Sequence, residues 1–228
     1  LSADGQDLLF STYFGGSDID RLRQISSDDA GNVCVAGITR SVDLPTTPGA
    51  FAPEFVGEIN GCEVPFGGHY NCEDFFVFRL STSGDGIDWG TYLGGNTVDE
   101  ARGIACDNLG NVFVTGYTSS DDFPLYEGTF SAAFVVCKLT ADGSTLEYTH
   151  YVESGSANRG NGIFVDEAND IYFTGTVGVP ASIYISKLQG DRVTSGVDNR
   201  IVGHPGLSLA ANYPNPFNPR TTIRFSLP

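Results

Sequence analysis

Apolar residues in this chain recur in short runs that are separated by turn-forming residues. The run Val112-Phe113-Val114-Thr115 is β-branched and aromatic, as is usual for a packed strand. The sequence shows no sustained 3.6-residue period with helix caps. Between residues 101 and 152 the pattern therefore predicts four strands, at 101–107, 111–118, 133–139 and 146–152.

This strand pattern repeats along the chain. Shifted by 79 residues, residues 11–51 align without gaps to residues 90–130, with 19 identical pairs. A further shift of 59 residues gives a weaker third copy. Repeated units of four short antiparallel strands are typical of propeller blades. The predicted fold class is therefore all-β, with about three four-stranded antiparallel blades of a larger β-propeller.

The repeat also divides the chain into predicted regions. Residues 1–188 are assigned to propeller repeats, 189–206 to a linker, and 207–228 to the first strand of a truncated β-sandwich domain. Within the propeller region the predicted units are the fourth strand of a preceding blade at 8–14, two blades at 22–93 and 101–152, and a degenerate blade at 161–188. The chain contains no Met and opens inside a turn-like segment, so we expect it to be a piece of a longer product, and a signal peptide cannot be read from it.

An aspartate begins the turn between the first and second strands of every copy, at Asp28, Asp107 and Asp166. In such a turn Asp can bond its own backbone, and a following Gly supplies a positive φ angle. Because they recur in each copy, these residues are predicted to build the turns rather than to perform catalysis.

The connection between the second and third strands varies between copies while the rest stays in register. The loops 40–73 and 119–132 are predicted to share one face with residues 15–20 and 94–100, and binding residues concentrate on such variable loops. The ligand-binding candidates on this face are Phe66, His69, Tyr70, Phe123 and Tyr126. Exposed aromatic rings there would stack on sugars or anchor a protein partner, and the alternative is that the rings pack down over the blade edges.

The formal charge of −16 argues against nucleic acid as a partner, because phosphates require a basic surface. No apolar run approaches the roughly 20 residues of a membrane helix. The excess of acidic residues favours solubility. A more specific interpretation of this excess is that some acidic loops bind Ca²⁺. The calcium candidates are Asp18, Asp20, Asp99 and Glu100, and no other cofactor is expected.

Two of the five cysteines, Cys62 and Cys72, lie ten positions apart in one irregular loop. We expect them to form a disulfide, which would indicate an oxidising compartment outside the cytoplasm. A zinc site with His69 is the alternative, although no fourth ligand is evident. The other three cysteines, Cys34, Cys106 and Cys137, lie in apolar runs where buried thiols are chemically quiet.

The blocks YFGG and YLGG, the pattern D-x-x-GN-V-x-V-x-G-x-T, and the segments LPTTPGAF and FPLYEGTF resemble the SBBP family of bacterial seven-bladed β-propeller repeats. The resemblance covers residues 8–188. The tail NYPNPFNPRTTIRFSLP resembles the start of a type IX secretion sorting or FlgD-like immunoglobulin-type domain. Together these resemblances imply a secreted or cell-surface protein whose tail engages the secretion machinery, and they supply no shared catalytic residues.

Two functions remain open from the sequence. The first is a non-enzymatic binding or adhesion module for an extracellular protein or glycan. The alternative is a polysaccharide-active extracellular enzyme, a hydrolase or lyase, with its site on the top face of the propeller. The three His residues are scattered along the chain and no carboxylate pair is placed across a cleft, so no catalytic residue is assigned.

Overall fold

The structure is a computed structural model that describes residues 2, 4–63, 69–84, 86–125, 133–152, 158–178 and 182–188. These residues form β-strands and turns, and no helix occurs among them. The strands assemble into three stacked antiparallel sheets, which are propeller blades as the sequence predicts. The linker at 189–206 and the sandwich segment at 207–228 lie outside the described residues.

Each main strand pairs with the next main strand of its own blade, so every blade is a simple meander. Blade 1 contains β1 (Asp20–Ser27), β2 (Val33–Thr39), a short hairpin of β3 (Cys62–Glu63) and β4 (His69–Tyr70) within its long loop, then β5 (Asp74–Leu80) and β6 (Ile87–Leu93). Blade 2 contains β7 (Asp99–Cys106), β8 (Val112–Thr118), β9 (Ala133–Leu139) and β10 (Leu146–Val152). Blade 3 contains β11 (Arg159–Val165), β12 (Ile171–Val177) and β13 (Ser182–Leu188).

The repeated aspartates build the first turn of each blade, which confirms the sequence interpretation. In blade 2, Asp107 Oδ1 accepts hydrogen bonds from the backbone N–H groups of Leu109 and Asn111, at 2.9 and 2.8 Å. Gly110 follows with a φ of 81°. Asp28 and Asp166 accept equivalent bonds in the other two blades. These bonds satisfy backbone donors that the turn removes from the ladder.

A β-bulge interrupts the first strand of every blade at the same place. The register shifts between Leu22 and Gln24, between Ala101 and Gly103, and between Gly160 and Gly162. A bulge bends the strand and increases its twist. The bulged strand of blade 2, β7, contacts the bulged strands β1 and β11 of the two neighbouring blades.

The blades are held together by aromatic rings that pack on glycines of the next blade. A Cβ at Gly116 of blade 2 would lie 2.8 Å from Phe75 Cζ of blade 1. The equivalent ring in blade 2, Phe134, lies 2.4 Å from the Cβ position of Gly175 in blade 3. Each interface therefore depends on the same ring-on-glycine contact, surrounded by a buried apolar cluster.

The segment 8–14, predicted to be the fourth strand of a preceding blade, is not paired in a sheet among the described residues. The third strand with which it would pair is not among those residues, so the assignment stays a prediction. The segment instead covers the outer face of blade 1, where the rings of Phe14 and Phe78 stack with centroids 3.8 Å apart. That face and the outer face of blade 3, with Ile183 and Ile185, expose apolar side chains.

Candidate functional site

The variable loops and the connections that enter each blade meet on one face, as expected from the meander. In blade 1 the N–H and hydroxyl of Ser17 donate to Asp43 Oδ1 at 2.8 and 2.9 Å. In blade 2 the N–H of Asn96 donates to Asp122 Oδ1 at 2.7 Å. We call this surface the loop face and define it as residues 15–20, 40–63, 69–73, 94–100 and 119–125.

The calcium candidates on the loop face do not form a shared ligand set. Asp20 accepts hydrogen bonds from the N–H of Gly16 and the hydroxyl of Ser41, at 2.7 and 3.0 Å. Asp99, its counterpart in blade 2, accepts the same bonds from Gly95 and Ser120, at 2.7 and 2.9 Å.

The other two candidates also have partners within the chain. Asp18 accepts a bond from the next backbone N–H, and Glu100 pairs with Arg102 at 2.6 Å. Within the described residues no group of three or more metal-ligating side chains is present. Each of the four carboxylates therefore has a hydrogen-bond or ion-pair partner within the chain.

The long loop between β2 and β5 of blade 1, residues 40–73, which we call the insertion, is fixed at several points. Cys62 and Cys72 form the predicted disulfide, so they are not zinc ligands with His69. The N–H of Cys72 donates to the carbonyl of Glu58 at 3.0 Å, and the N–H of Asn60 donates to Asn71 Oδ1 at 3.1 Å. The described part of this insertion is therefore a pre-organised loop.

The insertion nevertheless presents aliphatic side chains to solvent. Ile59 is 67% exposed, and Val42 and Val56 are also exposed. His69, on β4 beside the disulfide, is exposed as well. Binding residues often lie on loops of this kind.

The aromatic residues that were predicted to bind a ligand differ in where the structure places them. Phe123 is not an exposed ring: it is buried and makes edge contacts with Phe75 and Tyr151, with centroids 5.7 and 6.4 Å apart. It fills the space between blades 1 and 2, as the packed-ring alternative expects. Tyr70 ends β4, whereas Phe66 and Tyr126 lie outside the described residues.

Two carboxyl groups at the loop face are buried, and one of them, that of Asp74, was not predicted. Asp74 begins β5 and Asp99 begins β7, and both side chains are fully buried. Burial raises the pKa of Asp74 to about 8, and the nearby Asp99 carboxylate adds to this rise. Burial likewise raises the pKa of Asp99 to about 7. Asp74 Oδ1 has no hydrogen-bond partner among the described residues.

The opposite end of the stack contains a pocket of about 620 Å³, which we call the turn pocket. Its walls are the first turns of all three blades, and it is strongly acidic. The lining residues are Ser27, Asp28, Asp29, Cys106, Asp107, Asn108, Phe164, Val165, Asp166, Glu167 and Ala168. Sequence reasoning missed this pocket because each turn was assigned a purely structural role within its own blade.

Residues 88–124 match the family model SBBP, described as a beta-propeller repeat. The match covers the end of blade 1 and the first two strands of blade 2, including the turn at Asp107. No curated protein matches the chain. The described residues contain no helical segment with the length and hydropathy of a membrane span. The chain therefore carries a β-propeller repeat, and its stacked blades agree with that repeat.

Proposed function

We propose that the chain is a non-enzymatic binding or adhesion module of a secreted or cell-surface protein, and that it recognises its partner through the loop face. The observation that supports this proposal is the insertion of blade 1. A disulfide and backbone hydrogen bonds order the loop, while Ile59, Val42 and Val56 remain exposed. A pre-organised loop loses less conformational entropy when it binds.

The chemistry of the loop face favours an extracellular protein or a glycan as the partner. Exposed aliphatic side chains pack against apolar protein surface or against the apolar faces of sugar rings. The charge of −16 disfavours polyanionic partners, because like charges repel during encounter. Neutral glycans and neutral or basic proteins therefore fit this face best.

The Cys62–Cys72 disulfide supports export, since disulfides persist in oxidising compartments. The tail at 207–228 resembles a sorting domain, and we infer that it directs the protein to the secretion machinery. Cell fractionation with an antibody against the blades tests this part of the proposal. We expect the protein in the extracellular or surface fraction, and an exclusively cytoplasmic location would contradict export.

The enzymatic alternative has one observation in its favour. Asp74 and Asp99 have raised pKa values of the kind found in general acids. Both side chains are fully buried, however, and a substrate must contact its general acid. The exposed insertion therefore gives binding the stronger support.

A binding panel tests the proposal against this alternative. The folded chain is applied to immobilised polysaccharides and extracellular matrix proteins, and both retained protein and released soluble sugar are measured. We expect retention on at least one panel member without release of sugar. Replacement of both Cys62 and Cys72 by Ser is expected to weaken retention, whereas Cys137→Ser, in the core of blade 2, is expected to leave it unchanged. No retention on any member, or catalytic release of sugar, would overturn the proposal.

A further inference from the structure

Two free thiols meet across the interface between the first two blades. Cys34 lies on β2 of blade 1, and Cys106 is the last residue of β7 in blade 2. Cys34 belongs to the apolar cluster between these blades, and Cys106 packs against that cluster. Strands β2 and β7 pack against each other, and the two thiols are close enough to influence each other's ionisation. Each sulfur therefore has the other as a neighbour, although the residues come from different blades.

The two thiols differ in access and in acidity. Cys106 is half-buried and lines the turn pocket, whereas Cys34 is 1% exposed. The neighbouring Cys34 thiol lowers the pKa of Cys106, and the hydroxyl of Ser26 acts in the same direction. The Cys106 sulfur and burial raise the pKa of Cys34. Cys106 is thus the more accessible and the more acidic of the two thiols, and Cys34 lies behind it.

The turn pocket limits which reagents reach Cys106. Its volume of about 620 Å³ lies within the usual range for small-molecule sites, roughly 300–1,000 Å³. Five carboxylate side chains line it: Asp28, Asp29, Asp107, Asp166 and Glu167. Such a pocket attracts small cations and repels small anions.

We propose that Cys34 and Cys106 are a dithiol that closes to a disulfide between blade 1 and blade 2, by exchange with a cationic low-molecular-weight disulfide admitted through the turn pocket. The Cys106 thiolate attacks one sulfur of the reagent and breaks its S–S bond. The first half of the reagent leaves with the electron pair and takes a proton from water, and a mixed disulfide remains on Cys106.

Cys34 completes the exchange. It loses its proton to solvent and attacks the Cys106 sulfur, and the second half of the reagent leaves as a thiolate that is then protonated. The two protein thiols are oxidised, and the reagent is reduced to two thiols. The new bond crosslinks two blades, whereas the Cys62–Cys72 bond stays within one loop.

Cystamine, which is cationic, and oxidised glutathione, which is anionic, are the probes. The folded chain is incubated with either reagent, alkylated, digested without reduction, and mapped by mass spectrometry. We expect a Cys34–Cys106 crosslinked peptide that forms about tenfold faster with cystamine than with oxidised glutathione at low ionic strength, and a ratio that shrinks as salt is added. Cys137, which is fully buried, is expected to stay reduced.

Single variants separate the two roles. Cys34→Ser is expected to stop at the mixed disulfide on Cys106, and Cys106→Ser is expected to leave Cys34 reduced. Cys137→Ser is the matched control and is expected to crosslink like the wild type. If circular dichroism shows that a variant does not fold, the wild type is instead treated with a limiting amount of alkylating reagent. Cys106 should be alkylated first, and the crosslink between Cys34 and Cys106 should then no longer form.

Three results would overturn the proposal. One is a wild-type protein in which Cys34 and Cys106 both remain alkylatable after cystamine treatment. Another is a stable mixed disulfide on wild-type Cys106 that Cys34 does not resolve. The third is reaction of Cys137 as fast as Cys106, since this would show that the thiols react only in the unfolded chain.

Discussion

Asp74 and Asp99 place two buried carboxyl groups against the same glycine, Gly94, at the interface of the first two blades. A Cβ at Gly94 would lie 2.6 Å from Asp74 Oδ1 and 3.0 Å from Asp99 Oδ2. The backbone tightens this arrangement, because the N–H of Asp99 donates to the carbonyl of Glu73 at 2.6 Å. Two carboxylates against one glycine in a buried interface cannot both ionise without a large cost.

Asp74→Asn is expected to flatten the pH dependence of stability. The pKa of Asp74 rises from 3.8 to about 8 in the folded chain. Between these values the unfolded chain binds fewer protons, so the wild-type free energy of unfolding falls as pH rises towards 8. The amide keeps an oxygen for the N–H groups of Val56 and Gly57 and carries no charge. We therefore expect the free energy of unfolding of the variant to exceed that of the wild type by about 1–3 kcal/mol at pH 8.

Chemical denaturation from pH 5 to pH 9 measures this difference. Asp142→Asn is the matched control. Hydrogen bonds from Thr140 and Ser144 lower the pKa of Asp142 to about 2, so this group is charged across the whole range. The control is expected to keep the wild-type slope, and an Asp74→Asn variant with that same slope would refute the assignment.

Asp107→Ala tests the turn of blade 2. The change removes the acceptor of two backbone N–H bonds and of the Asn111 side-chain amide. We expect a loss of about 1–3 kcal/mol in the free energy of unfolding, measured by urea denaturation. Asp29→Ala, at an exposed turn residue of blade 1, is the control and should change stability by less than about 0.5 kcal/mol. Equal effects of the two substitutions would contradict the turn-building role.

Gly116→Ala tests the ring-on-glycine contact. The added Cβ would lie 2.1 Å from the carbonyl oxygen of Glu100 and 2.8 Å from Phe75 Cζ, so backbone and ring must both move. We expect a destabilisation of about 1–3 kcal/mol. Gly86→Ala is the control, because no atom lies within 4 Å of its Cβ position. Thermal unfolding distinguishes the two, and a neutral Gly116→Ala would show that the blades are not packed this closely.

Removal of the disulfide is expected to loosen the insertion without unfolding the blades. In the Cys62→Ser, Cys72→Ser double variant, we expect a glutamate-specific protease to cut at the exposed Glu58 roughly tenfold faster than in the wild type. The thermal midpoint of the blades should change little, because the disulfide closes only a local loop. Unchanged cleavage at Glu58 would show that hydrogen bonds alone order the insertion.

The sequence predicted the blades because their determinants are local. The turn at Asp107 and the apolar run after it lie within a few residues of each other, and the 79-residue shift reproduces them in blade 1. The same shift aligns Phe123 with Leu44, and both are buried. That alignment of two apolar residues was a signal for packing that the loop-based assignment of Phe123 overlooked.

The remaining features depend on how the blades meet and leave no local pattern. In the strand register, Asp74 of blade 1 corresponds to Ala133 of blade 2. Comparison of the repeats therefore does not indicate that the carboxyl group of Asp74 is buried. Cys34 and Cys106 become neighbours only when β2 and β7 pack together. The turn pocket requires three turns from three blades. Such contacts join distant parts of the chain, and a single sequence does not reveal them.

The loop face, and not the opposite end of the stack, is proposed to recognise the partner. Ile59 on the loop face and Leu109 beside the turn pocket are both 67% exposed, which makes them a matched pair. The most direct measurement is the Kd of Ile59→Lys and Leu109→Lys for the glycan or protein that the panel retains. We predict that Ile59→Lys weakens binding about tenfold or more, and that Leu109→Lys stays within about twofold of the wild type. Equal weakening by both, or weakening by Leu109→Lys alone, would contradict the account.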